Sequence, residues 1–175
     1  MLVEATAATW LHGTAMGHNN LYQYSFCNAQ NVFAAMQQTE TPYWQGLGTS
    51  SYAPAPRRVN YAIGDPDPSG CGGDDGKCRR AWFSRVWGGS HLFPYGSAFW
   101  TSFINNDGCD GYCKTNVMEV GGGVPSLYYH GIITKSNENL VRDIGKPSVT
   151  RYNNPGSWGG RVAAFLTHSE EIARL

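Results

Sequence analysis

The chain has 175 residues, with 13 Lys+Arg balanced by 13 Asp+Glu, and only 15% of it is charged where about 25% is usual. Balanced charge with 13% aromatic residues excludes intrinsic disorder and leaves no basic stripe to neutralise nucleic-acid phosphates. The apolar runs fall far short of the roughly 20 residues needed to cross a bilayer as a helix, so neither a nucleic acid nor a membrane is expected as partner.

The first residues, Met1-Leu2-Val3-Glu4, put an acid where an export signal places Lys or Arg. No signal peptide is therefore expected in this chain. Short β-type runs follow at Asn31–Met36, Ser90–Tyr95, Asn116–Val120, Ser126–Tyr129 and Arg161–Leu166. They are bounded mostly by Gly, Asn, Ser or Pro, which is the signature of strands. No Asp-Gly dipeptide directly joins two of them, so an antiparallel meander is not favoured. Strands separated by such long connections suit a solenoid, a right-handed parallel β-helix best, with a β-sandwich as the alternative. Ser169 can cap Glu170–Arg174, with both acids in the first turn, so a short C-terminal helix is expected.

The stretch 41–81 reads as a long loop insertion, with Pro42, Pro54, Pro56, Pro66 and Pro68 among many glycines. Residues 1–17 read as a lead-in and 18–175 as the body of the domain. The loop carries Tyr43, Trp44, Tyr52 and Tyr61, rings that suit either stacking against sugar faces or fastening the loop to the strands. Cys71 and Cys78 bracket a Gly/Asp turn, and Cys109 and Cys113 bracket Asp-Gly-Tyr. Each pair suits a local disulfide that supplements a small core. Free thiols and zinc are the competing readings, and for zinc neither spacing is that of a metal finger and no paired His lies nearby. Cys27, in an apolar setting, is expected to pack as a small buried hydrophobe.

No phosphate-loop, dinucleotide, zincin or nucleophile-elbow motif occurs. Glu40 is the carboxyl that stands apart, in Gln37-Gln38-Thr39-Glu40-Thr41-Pro42-Tyr43-Trp44, where an apolar strand runs into the aromatic loop. Flanking rings would disfavour its charged form and keep it protonated, as a general acid for glycosidic cleavage must be. The alternative is a surface Glu bonded to its Gln and Thr neighbours.

Leu21-Tyr22-Gln23-Tyr24, Asn31-Val32-Phe33 and Gln38-Thr39-Glu40-Thr41-Pro42-Tyr43-Trp44-Gln45 together resemble the C-terminal part of glycoside hydrolase family 55. The likeness continues through Asp65-Pro66-Asp67, Cys71 to Cys78, Ala81-Trp82, Tyr95–Phe103 and Cys109 to Cys113, from about His18 to Phe165. It implies an inverting exo-β-1,3-glucanase that releases glucose from laminarin-like β-1,3-glucan, built from two side-by-side right-handed β-helices. This chain would be the latter part of the second, and an N-terminal β-helix domain would be missing from it. Glu40 would be the general acid, with Gln38, Thr39, Tyr43, Trp44, Tyr52 and Trp100 around the substrate. No cofactor or metal is implied, and the full-length parent would be extracellular. One departure concerns the chemistry: Gly17, then His18 and Asn19, stand where the family has a second acid followed by a histidine pair. A non-catalytic β-glucan-binding module is therefore the rival expectation, and a truncated product without an independent role is a third.

Overall fold

The computed structural model describes residues 1–43, 45, 65–66, 71, 75–101, 112–155 and 159–168. These residues are all-β. The strands are β1 (Leu2–Val3), β2 (Thr9–His12), β3 (Tyr22–Cys27), β4 (Gln30–Glu40), β5 (Trp82–Trp87), β6 (Ser90–Trp100), β7 (Lys114–Gly121), β8 (Ser126–Lys135), β9 (Asn137–Asp143), β10 (Val149–Thr150) and β11 (Gly159–His168). They form two sheets, in the orders β1-β3-β5-β7-β9-β10 and β11-β8-β6-β4-β2. From β1 to β9 the odd strands enter the first sheet and the even strands the second, and each lies parallel to its counterpart one pass along the chain. Among the described residues only β10 and β11 run antiparallel to their neighbours, closing the two sheets at one end. Parallel neighbours reached by alternation between sheets make a β-helix-like arrangement, not the antiparallel layers of a sandwich.

Each expected strand lies inside a longer observed one, and β1, β2, β3, β5, β9 and β10 were not expected. Residues 1–17, read as a lead-in, supply β1 and β2, which pair with β3 and β4. In the first sheet only β7 is legible; β3 and β5 escape notice because their polar residues are buried, Gln23, Ser25, Ser84 and Arg85 lying inside as Glu119 does on β7. Register aligns Ser25, Arg85, Glu119 and Arg142 across β3, β5, β7 and β9. Arg85 Nε donates to Glu119 Oε1 at 2.8 Å, and Arg142 lies 3.7 Å from the other carboxylate oxygen. A buried charge is tolerated here because its partner sits on the adjacent strand. The C-terminal helix expected after Ser169 lies outside the described residues. Cys71 and Cys78 form a disulfide, Cys113 is also disulfide-bonded, and Cys27 is a buried thiol. Cys109 lies outside the described residues.

The second sheet is bent along one line. Ala35 pairs with Tyr95 and Gln37 with Ser97, which sets Met36 opposite Gly96, and the next register sets Gly96 opposite Gly131. All three have positive φ, at 59°, 69° and 71°. The consequence is a change of phase. Before the bend Val32 and Ala34, Leu92 and Pro94, and Leu127 and Tyr129 face the core. Beyond it Gln37 and Thr39, Ser97 and Phe99, and Ile132 and Thr134 do. Strict alternation would have turned Glu40, Trp100 and Lys135 inward. The left-handed residue turns them out.

The bend is followed by a buried polar ladder. Thr41 Oγ1 and Thr101 Oγ1 are 2.9 Å apart, and the Thr101 hydroxyl donates to Asn137 Oδ1 at 3.0 Å. Arg80, also buried, donates from Nη2 to the Pro42 carbonyl at 3.2 Å and from Nη1 to that of Cys113 at 3.3 Å. Lys114 is fully buried, with Nζ 4.4 Å from the centre of the Phe83 ring, and desolvation followed by the nearby Arg80 charge pushes its ammonium well below the ordinary lysine range.

Two stability experiments follow. The left-handed conformation costs a side-chain-bearing residue roughly 1–2 kcal/mol and excludes β-branched ones. Met36→Gly should therefore match or exceed wild-type stability in urea denaturation, whereas Met36→Ile should fall below it by about that amount. For Lys114, the native chain binds fewer protons than the unfolded chain between the depressed native pKa and the unfolded value near ~10.4. Stability must rise with pH across that window. Lys114→Met should be at least as stable as wild type near pH ~7, and the wild type should gain on it towards pH ~10.

Candidate active site

Glu40 is the last residue of β4, on the outer face, immediately before the Thr41 rung of the buried ladder. Register places Trp100 beside it on β6 and Lys135 beside Trp100 on β8. Gln38, Ala98, Ile133 and Arg161 form the parallel row two residues back. Two rows on one outward face thus run across four strands.

Segment 14–18 is held along the end of β4. Gln38 N–H donates to the Thr14 carbonyl at 3.0 Å, Met16 N–H to that of Gln38 at 3.2 Å, and His18 N–H to that of Glu40 at 3.4 Å. The Tyr24 hydroxyl, inside the core, accepts from Met16 N–H at 3.1 Å and donates to the Thr14 carbonyl at 2.8 Å. The Gln23 amide bonds Asn19 in both directions, at 3.0 and 2.9 Å, and Gln45 Nε2 donates to the Asn20 carbonyl at 2.8 Å. Buried amides therefore fix the turn that carries His18. Polar residues at 23 and 45 are positioning groups.

Three side chains converge as a result. Tyr43 donates its hydroxyl to Glu40 Oε2 at 2.5 Å, and His18 Nε2 lies 3.8 Å from the same oxygen. The His18 and Tyr43 rings meet edge to face, with centroids 4.3 Å apart. Arg80 holds the Pro42 carbonyl and so fixes the approach of Tyr43. The Glu40 side chain keeps 40% of its exposure, so the enclosure by rings is partial among the described residues. A carboxyl held at one oxygen on an accessible face can transfer a proton to a ligand laid across that face.

The residues singled out from the sequence fall in different places. Glu40, Tyr43 and Trp100 share the outer face, with Gln38 half-exposed in the adjacent row. Thr39 is fully buried beneath them and offers a ligand no surface. Trp44 and Tyr52 lie outside the described residues. Gly17 adjoins the Glu40 backbone, and a Cβ built there would sit 3.7 Å from Glu40 N, an ordinary contact. The space for a side chain exists although this sequence leaves it empty. His18 was not distinguished by spacing, because only the chain path brings it to Glu40.

No family model matches the chain. It is 32% identical over 94% of its length to a probable glucan endo-1,3-beta-glucosidase of Arthroderma benhamiae. It is 34% identical over 91% of its length to a glucan endo-1,3-beta-glucosidase of Trichoderma harzianum. A non-secreted LysM effector of Penicillium expansum is 25% identical over 97% of the chain. The two of these relatives above 30% identity are thus both named as glucan endo-1,3-beta-glucosidases. The chain spans 18% and 22% of the first two relatives' lengths.

The Tyr43 phenol is pushed above its ordinary value, first by the hydrogen bond to Glu40, then by desolvation and by the Glu40 charge. Glu40→Gln should therefore lower the midpoint of Tyr43 ionisation. Phenolate absorbance against pH checks this, with Tyr43→Phe identifying the signal. An unchanged midpoint would show that the two groups do not interact in solution.

Proposed function

We propose that this chain is the acid-bearing portion of a secreted, inverting exo-β-1,3-glucanase of the glycoside hydrolase family 55 type, folded as part of a right-handed parallel β-helix. Glu40 is the general acid. Tyr43 and His18 hold and orient it, and Trp100, with Tyr43 and Gln38, receives the sugar. The observation that carries this reading is the convergence of Tyr43 and His18 on one oxygen of Glu40. Similarity to glucan hydrolases over nearly the whole chain supports it.

Proton donation from Glu40 to the glycosidic oxygen releases the downstream glucan while water attacks the opposite face of the sugar. That water needs a base roughly 6.5–9.5 Å from the acid. Gly17 cannot act as one, so in this reading the water is activated by a group of the adjoining N-terminal β-helix domain. No metal or cofactor takes part in the steps assigned to these residues. The two relatives above are named as endo-acting enzymes, and the products distinguish the modes: glucose alone for exo cleavage, a ladder of oligosaccharides for endo cleavage.

The empty position at Gly17 favours a second reading, a β-glucan-binding module that holds sugar without cutting it. Laminarin is the test for both, given to this chain joined to the N-terminal β-helix domain that the hydrolase reading requires. Glucose release that falls by two or more orders of magnitude in Glu40→Gln, about the contribution of general acid catalysis, supports the hydrolase. Equal release from both proteins removes Glu40 from the mechanism. Quenching of tryptophan fluorescence by laminarin with no release supports the binding module.

A further inference from the structure

A concavity lies on the same face as Glu40, three strands away. It is a cleft of about 610 Å³ between the ends of β8 and β11 and the turn at 153–155, lined by Ile133, Asn153, Asn154, Pro155, Arg161 and Ala163 among others. The Arg161 N–H donates to the Asn154 carbonyl at 3.1 Å, and the Asn154 amide donates to the Thr150 carbonyl at 3.1 Å, so the turn is fastened to the strand it overhangs. Among the described residues, no acidic one lines the cleft. The Arg161 side chain is exposed, and Ile133, directly opposite it across the strand pair, is 47% exposed.

We infer that this cleft binds the downstream sugar units of the same glucan chain whose scissile bond lies at Glu40. The inference rests on the hydrolase reading and extends it to the rest of the polymer. Register supplies the geometry: Gln38, Ala98, Ile133 and Arg161 occupy one row, two residues from the Glu40–Trp100–Lys135 row on the same face. Neighbouring strands are ~4.8 Å apart, so Arg161 lies roughly 14 Å from the Gln38 strand, a span for an oligosaccharide and too long for a single sugar. The methyl of Ala98 keeps the path between the two ends low. The cleft chemistry suits a neutral polyol. The Asn153 and Asn154 amides can donate to and accept from hydroxyls and the Arg161 guanidinium can donate to them, while Ile133, Pro155 and Ala163 offer apolar surface to sugar C–H groups.

The test compares affinity for β-1,3-linked glucose oligomers of increasing length, from the disaccharide to the pentasaccharide, by calorimetric titration of the whole chain. The wild type should bind the longer oligomers more tightly. Arg161→Ala, and separately Ala163→Trp, which fills the cleft, should lose about tenfold of that gain, the worth of roughly one hydrogen bond, and leave disaccharide affinity unchanged. Circular dichroism confirms that both variants keep the wild-type fold. A length gain that survives in both variants overturns this inference alone and leaves the hydrolase reading standing. Preference for acidic oligosaccharides over glucose oligomers overturns it as well. Absence of binding to any oligomer overturns it together with the reading on which it rests.

Discussion

The left-handed bend shared by Met36, Gly96 and Gly131 is the constraint on which the outer face of the second sheet depends. A regular pleated strand alternates, so a residue's face is fixed by its distance from any residue already placed. Val32 and Ala34 face the core, and an unbroken β4 would bury Glu40 with them. One residue of positive φ shifts the phase, and the shift is propagated in register to β6 and β8. Glycine takes that conformation without cost at two of the three positions, whereas Met36, 63% exposed, takes it with a side chain. The strand carrying the acid is thus the one that holds strain at its bend, immediately upstream of the candidate site.

What the bend orients, buried polar groups then hold in place. The Thr41–Thr101–Asn137 ladder fixes the turn after the second sheet, and Arg80 ties Pro42 to Cys113. Gln23, Tyr24 and Gln45 hold the segment that brings His18 to Glu40. Hydrogen bonds in a low-dielectric interior are costly to leave unmade, so such networks specify one arrangement of the backbone. The outer face can then be rigid without being deeply enclosed. That combination suits a ligand that is long, neutral and laid across several strands.

The two ends of the sheets differ. β10 and β11 turn back antiparallel and close one end. β1 and β2 are edge strands at the other, where Met1, Leu11 and Met16 are only partly buried against the core. A parallel edge with half-covered apolar residues is where another strand would add. In the proposed function this is the side on which further β-structure of a longer enzyme would lie.

The sequence by itself determined the composition class, the existence of five of the strands, Cys71 and Cys78 as candidates for a local bridge, and Glu40 as the carboxyl at a strand-to-loop junction. These are local properties: β-branched and aromatic runs between turn residues, two cysteines across one short turn, an acid flanked by rings. Only the tertiary structure decided the rest. Apart from β7, the strands of the first sheet were illegible, and in β3 and β5 this is because Gln23, Ser84 and Arg85 look like surface residues until their partners on neighbouring strands are known. His18 became part of the site through parallel pairing of segments distant in the chain. Alternation alone puts Thr39 and Glu40 on opposite faces; that Glu40 is the one turned outward was decided by a backbone angle at Met36 that no residue type announces, since methionine seldom adopts it.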